Sequence, residues 1–363
     1  MSRRRVIGVD ARELLGATTG VGRYLGELLR RWAAQPNADD LHYVLYAPEP
    51  LTMADVSGAR IETRVLPGGR GTWWEQTTLR RAVNHDRPDV FFAPAYTAPL
   101  RLRMPLVVTI HDISFTAHPE WFRWREGTRR RLLTRSAARR AHRVLTDSEF
   151  SREEIQKHYR LPPERIEVIP PGVTRRAAAG SPPRERMVLY AGSLFNRRRL
   201  PDLIAAFTLA SRGLADARLV IVGDNRTWPA QDLAAVAASH GVADRVELRS
   251  YVGDEELDSL YARAAVFGFL SEYEGFGLTP LEALTAGVPI VVLDTTVARE
   301  VYGRAATYVV KGDIDGTAAA LRRWLEAPGE TTADSSAASA VLDRYSWDAA
   351  AERTLACLED AMR

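Results

Sequence analysis

At 363 residues and 46% hydrophobic content, the chain is too long for one typical domain and has apolar residues enough for about two or three. Its 49 basic side chains barely exceed its 46 acidic ones, a net charge of +3 with a pI of about 9.1, which favours phosphate-bearing partners without identifying them. The single cysteine, Cys357, excludes an internal disulfide and any cysteine-cluster metal site. No apolar run of about 18 residues is present to span a bilayer, and MSRRRVIGVDAR enters a short strand instead of a signal-peptide core, so a cytoplasmic protein is expected.

Residues 5–10 (RVIGVD) predict a parallel strand buried on both faces. A glycine-rich loop, Gly16 to Tyr24, follows and leads into an amphipathic helix through about Trp32. Such a loop after the first strand is where α/β folds meet ligands, although its spacing is not the dinucleotide fingerprint and a flexible turn explains it as well. Further strands are expected at 42–47, 61–66, 90–93 and 106–110. The last ends on His111–Asp112, which sets an imidazole and a carboxylate at the carboxyl edge of the sheet. Histidine there can bond a sugar hydroxyl or tune a proton transfer, or it can be a capping group.

From Trp121 to Arg143 the chain is rich in arginine, with Leu132, Leu133, Ala137 and Ala141 at helical spacing. Such a helix can be a solvated face, or it can lie on an anionic membrane or bind a phosphorylated carrier lipid; nucleic acid is disfavoured because no recognisable module accompanies it. VLTDSEFS (144–151) reads as a strand and then a helix cap, with Ser151 and Glu154 forming a capping box. A strand near 166–169 and PPGV close the first domain, and TRRAAAGSPPRER has linker composition. The expected domains are therefore 1–173 and 174–345.

The second domain opens on a strand at 187–191, followed by Gly192 and a loop carrying Arg197, Arg198 and Arg199. Guanidinium forks match phosphate oxygens and stay charged at any relevant pH. Strands at 219–223 and 246–248 follow, the latter leading into Tyr251–Val252, and then a helix at 255–262. A strand at 265–270 delivers the chain to Glu274-Gly275-Phe276-Gly277-Leu278, with a helix expected to start at Thr279–Pro280 and to carry Glu282 one turn in. The first N–H groups of a helix lack internal partners and favour anions. A carboxylate beside such an anion site makes sense for a nucleotide sugar, whose phosphates take N–H groups and whose hydroxyls take carboxylates.

EGFGLTPLEALTAGVPIVV resembles the E-x7-E signature of glycosyltransferase family 4, and the likeness extends over nearly the whole chain, most strongly over 187–310. The resemblance implies an α/β protein of the GT-B fold, two Rossmann-like domains with parallel sheets facing a central cleft. The first would be the acceptor domain and the second the nucleotide-sugar domain, with a terminal helix (346–363) crossing back to the first. It implies a retaining, metal-independent hexosyltransferase, mannosyltransferase-like, using GDP-mannose or a related donor. The acceptor would be a hydroxyl of a glycan, glycolipid or small molecule, with no cofactor besides that co-substrate. In the family Glu274 would hold donor-sugar hydroxyls and Glu282 the ribose, with Gly275, Phe276, Gly277 and Leu278 lining the donor. His111 would face the donor sugar, Gly22 and Arg23 would approach its phosphates, and Tyr251 and Val252 would frame the base. The family loop usually reads G-R-L-x-x-x-K-G; here Ser193 stands at the arginine position and Arg198 at the lysine position, so Arg198 with Arg197 is expected to neutralise the leaving group. A sugar-nucleotide epimerase or sugar phosphorylase of the same fold, or a non-catalytic basic binder, are the alternatives.

Overall fold

The computed structural model describes residues 4–16, 20–34, 40–51, 60–175, 183–330 and 335–363. The chain divides into two compact units: Met1–Ala117 with Trp124–Gly172 and Ser346–Arg363, and Val173–Tyr345 with His118–Arg123. Residues 17–19 of the first glycine loop and 176–182 of the expected linker lie outside the described residues.

Among the described residues the first unit holds seven strands: β1 (Arg5–Asp10), β2 (Leu41–Ala47), β3 (Ile61–Val65), β4 (Val90–Ala93), β5 (Leu106–Thr109), β6 (Arg143–Thr146) and β7 (Ile166–Val168). They form one sheet in the order β3-β2-β1-β4-β5-β6-β7, with every pairing parallel. The central strands are apolar because helices cover both faces of a parallel sheet. The helix Gly20–Ala34 lays Leu25, Leu28, Leu29 and Trp32 on the sheet, and the C-terminal helix Trp347–Ala361 adds Trp347, Leu355 and Leu358 to the same core. Trp32 Nε1 donates to Ala351 O at 2.9 Å, which satisfies a buried indole at that junction.

The second unit has, among the described residues, six strands: β8 (Glu185–Ala191), β9 (Arg218–Val222), β10 (Val246–Arg249), β11 (Ala264–Phe269), β12 (Ile290–Leu293) and β13 (Ala306–Val309). Their order is β10-β9-β8-β11-β12-β13, again all parallel. The order reverses between β8 and β11, so the loops leaving these two strands sit side by side at the carboxyl edge, where open α/β sheets bind ligands.

Three local expectations are corrected. Gly22 and Arg23 lie in the first turns of the helix that starts at Gly20, not in a loop. The helix after β6 is capped by Ser148, whose side chain accepts from the Ser151 N–H, so the cap falls one turn before the expected Ser151–Glu154 box. In the helix Trp124–Arg140 the inward residues are Gly127, Thr134, Ala137 and Ala138, while Leu132 is 64% exposed. Small side chains let that helix approach its neighbours, and leucine was not needed on the inner face.

Candidate active site

The β8 loop begins at Gly192 and forms a short turn, Asn196–Arg198, before Arg199 takes a left-handed conformation (φ 50°) and starts the helix Leu200–Ala210. That turn directs Arg197 and Arg198 towards the β11 loop. Arg198 Nη1 stands 2.8 Å from Glu274 Oε1, and Arg197 Nε 3.9 Å from the same oxygen. Ser271 Oγ also donates to Glu274 Oε1. The two guanidinium groups lie over aromatic faces, Arg197 over Phe195 at 4.5 Å and Arg198 over Phe269 at 4.6 Å, a placement that holds weakly hydrated cations in a mostly buried setting. Arg197 is 8% exposed and Glu274 9%, so their charges act in a medium far less screening than water.

After Glu274, Gly275 and Phe276 are buried, Phe276 standing edge-on to Tyr345 at 4.9 Å. Gly277 takes φ 89° and caps the helix Leu278–Thr285. Its carbonyl accepts from Tyr302 Oη at 2.8 Å, and a Cβ at this position would stand 2.2 Å from that same oxygen. Glycine is thus required by conformation and by space. Burial, with the Glu274 charge nearby, pushes the Tyr302 phenol far above its ordinary value, so it stays a hydrogen-bond donor. Glu282 lies one turn inside the helix, 8% exposed, with Tyr261 Oη donating to its Oε2 at 3.3 Å.

Tyr251 is exposed and Val252 buried just before the helix Asp254–Arg263. Beside them, at the carboxyl ends of β9 and β10, a cavity of about 460 Å³ is lined by Leu194, Ile221, Leu233 and Leu248, with Asn225 and Gln231 as polar members. Sequence patterning could not reveal it, because its walls come from the ends of β9 and β10, the loops after β8 and β9 and the start of the helix Leu233–Ser239.

In the first unit His111 follows β5 and uses both ring nitrogens. Nδ1 is 2.8 Å from Asp147 Oδ2 and Nε2 is 3.0 Å from Pro94 O. A carbonyl only accepts, so Nε2 carries a proton, and an ionised Asp147 requires a second on Nδ1. Burial lowers the affinity of this imidazole for a proton, but the charge and hydrogen bond of Asp147 outweigh it, and the pKa is raised. Tyr24 and Tyr96 stand edge-on to the ring, with centroids at 5.1 and 5.6 Å. Asp147 lies on the neighbouring strand's loop, and only the β5–β6 pairing brings it to His111. Gly22 is buried and Arg23 half-buried on the helix that also carries Tyr24. Among the described residues no three His, Cys, Asp or Glu side chains converge as a metal site would.

Two parallel-sheet Rossmann-like units, the second presenting arginines and carboxylates at its switch point, are the elements of the GT-B fold. The architecture superimposes on sucrose-phosphate synthase from Thermosynechococcus elongatus with a TM-score of 0.78 at 16% identity, over 98% of this chain and 99% of that one. It matches Anabaena HepE in complex with UDP and glucose with a TM-score of 0.75 at 18% identity, over 99% of this chain and 100% of that one. The family model described as glycosyl transferases group 1 matches residues 174–360, and that of glycosyltransferase family 4 matches residues 18–176. The chain belongs to this glycosyltransferase family. It is 27% identical to the O-antigen chain mannosyltransferase B of Escherichia coli, over 93% of this chain and 95% of that protein.

Proposed function

We propose that the protein is a retaining, metal-independent hexosyltransferase that takes a nucleoside-diphosphate sugar, with GDP-mannose as first choice, and moves the sugar to an acceptor hydroxyl of a glycan, glycolipid or small molecule. The observation that carries this reading is the convergence of Arg197 and Arg198 on Glu274 beside the glycine-led start of a helix. The similarity to a mannosyltransferase supports the choice of sugar.

The chemical problem is charge separation. As the anomeric C–O bond breaks, negative charge grows on the diphosphate and positive character on the anomeric carbon. Arg198, helped by Arg197 and by the free N–H groups after Gly277, stabilises the first through fixed charges that need little reorganisation. Glu274 holds the sugar hydroxyls, Glu282 the ribose hydroxyls, and Gly275, Phe276, Gly277 and Leu278 line the donor. Tyr251 and Val252 border the base. In the first unit, His111, Gly22 and Arg23 take part in substrate binding at the carboxyl edge of its own sheet, where His111 exchanges its bond to Pro94 O for a ligand oxygen. Attack on the face the diphosphate leaves, with a phosphate oxygen accepting the acceptor's proton, retains configuration without a covalent sugar on Glu274. Neither a metal nor a further cofactor enters this scheme.

Incubation with GDP-mannose and UDP-glucose, with and without EDTA, tests it. Released nucleoside diphosphate and a product of unchanged anomeric configuration by NMR are expected in both conditions. An isomerised donor would replace the reading by an epimerase, consumption of inorganic phosphate with a glycoside by a phosphorylase, and inert donors by a binder. Loss in EDTA with rescue by a divalent ion would overturn metal independence.

Peripheral membrane contact is proposed for the helix Trp124–Arg140. Trp124 is 77% exposed beside exposed Arg129, Arg130 and Arg135, and each basic residue near an anionic surface contributes on the order of 1 kcal/mol. Trp121 does not belong to that face, since it stacks on His118 at 4.0 Å and packs edge-on to Tyr273. Cosedimentation with anionic vesicles should fall with salt and when Arg129, Arg130 and Arg131 are changed to glutamine; equal sedimentation with neutral vesicles would leave an ordinary solvated helix. Among the described residues no helix is long and apolar enough to cross a membrane.

A further inference from the structure

Three consecutive arginines end the β8 loop, and only two of them face Glu274. The third is held elsewhere. Arg199 Nη1 donates to Glu272 Oε1 at 2.6 Å, and its Nε donates to Asp202 Oδ2 at 2.8 Å. The other oxygen of Glu272 accepts from Lys311 Nζ at 2.6 Å, on the loop after β13, and the Glu272 backbone N–H donates to Arg197 O at 2.9 Å. One residue thus joins the loops that leave β8, β11 and β13. Burial resists ionisation of Glu272, but the hydrogen bonds from Lys311 and Arg199 hold its carboxyl below the usual range.

We infer that Glu272 is a positioning residue for the donor site, acting as a charge clip that withdraws Arg199 and so presents Arg197 and Arg198 to Glu274 and to a bound diphosphate. Adjacent guanidinium groups repel one another, and Glu274 is two residues from Glu272. Without the Glu272 charge, Arg199 loses one of its two carboxylates and competes for Glu274. The left-handed backbone at Arg199 (φ 50°, ψ 43°), unfavourable for a side-chain residue, is what sends its guanidinium away from its neighbours, and the two carboxylates offset that cost. Glu272→Gln keeps the backbone bond to Arg197 and the side-chain volume, while it removes the charge and one of the two oxygens that accept from Arg199 and Lys311.

The consequence for catalysis rests on the donor reading proposed above, so two readouts on the full chain are needed. Hydrogen exchange of the amides of residues 196–199 should accelerate about tenfold in Glu272→Gln, with β8 itself unchanged and with Glu247→Gln, a surface acid of β10, as an inert control. Donor KM should rise about tenfold while kcat stays within about twofold, calorimetry with GDP and UDP should show the same weakening, and Lys311→Met should give a smaller effect of the same kind. Unchanged exchange and unchanged KM would overturn the inference. So would faster exchange throughout the unit, which would reduce Glu272 to an ordinary stabilising pair. If the loop responds as expected but GDP and UDP fail to bind even the wild type, the clip stands and the donor reading falls.

Discussion

Arg198 Nη1 and Glu274 Oε1 are 2.8 Å apart, both side chains nearly buried, so the carboxylate proposed to hold the donor sugar and the guanidinium proposed to hold its diphosphate neutralise each other. The pair spans the two strands at which the sheet order reverses, so each loop supplies the other's counter-charge. A diphosphate arriving at Arg198 would release Glu274 to the sugar hydroxyls. Glu274→Gln should therefore lower turnover by about one to two decades, the equivalent of about 1.5–3 kcal/mol for a lost charged hydrogen bond. It should not weaken, and can strengthen, binding of the nucleoside diphosphate alone, because it removes a competitor for Arg198. Steady-state kinetics with GDP titration check both; unchanged turnover ends the assignment.

Glu282 is expected to act on binding. Glu282→Gln should weaken nucleoside-diphosphate affinity by about one to two decades with kcat at saturating donor largely kept. Tyr261→Phe, which removes the 3.3 Å hydrogen bond to Glu282 together with the longer one to Thr279 O at 3.5 Å, should cost less, about 0.5–1.5 kcal/mol. Calorimetry on both variants separates a ligand role from an ordinary buried pair.

The His111–Asp147 pair makes stability depend on pH with a definite sign. The folded-state pKa of His111 lies above its ordinary value of 6.5, and Asp112 adds to the effect of Asp147. The stabilisation is therefore fully present below 6.5 and is lost as pH rises through the raised folded-state value. The melting-temperature gap between wild type and His111→Gln should narrow from about pH 5 to about pH 9. A gap that widens towards alkaline pH would mean that the histidine is buried neutral.

Gly277→Ala should be costly for two separable reasons. A left-handed conformation costs a side-chain residue about 1–2 kcal/mol, and the new Cβ would collide with Tyr302 Oη. Combining it with Tyr302→Phe should recover the steric part and leave the conformational part. Denaturant melts of both variants would show this, and full stability of Gly277→Ala would contradict the turn geometry.

How much could be read before folding follows from the range of the interactions. Alternation of apolar strands with helices, the glycine turn before Thr279–Pro280 and the reach of Glu274 and Glu282 are local, set by backbone propensity over a few residues, and they were legible. So was the family. Where longer range entered, patterning went astray: a capping box was placed at Ser151 although Asp147–Ser148 leaves the strand directly into the helix, and Leu132 was placed inward on a helix whose close packing favours Gly127, Thr134 and Ala137.

By itself the sequence determined which chemical groups stand at the ends of which strands, because strand and turn signals are carried by neighbouring residues. It could name Arg198 and Arg197 only through the family resemblance and could not show what holds Arg199 apart from them, since its partner Glu272 is itself held by Lys311, more than a hundred residues after Arg199. Nor could it show that both nitrogens of His111 are already taken, by Asp147 and Pro94. Those are decided by strand order, which brings distant loops to one edge of a sheet, and a charge finds its partner only there.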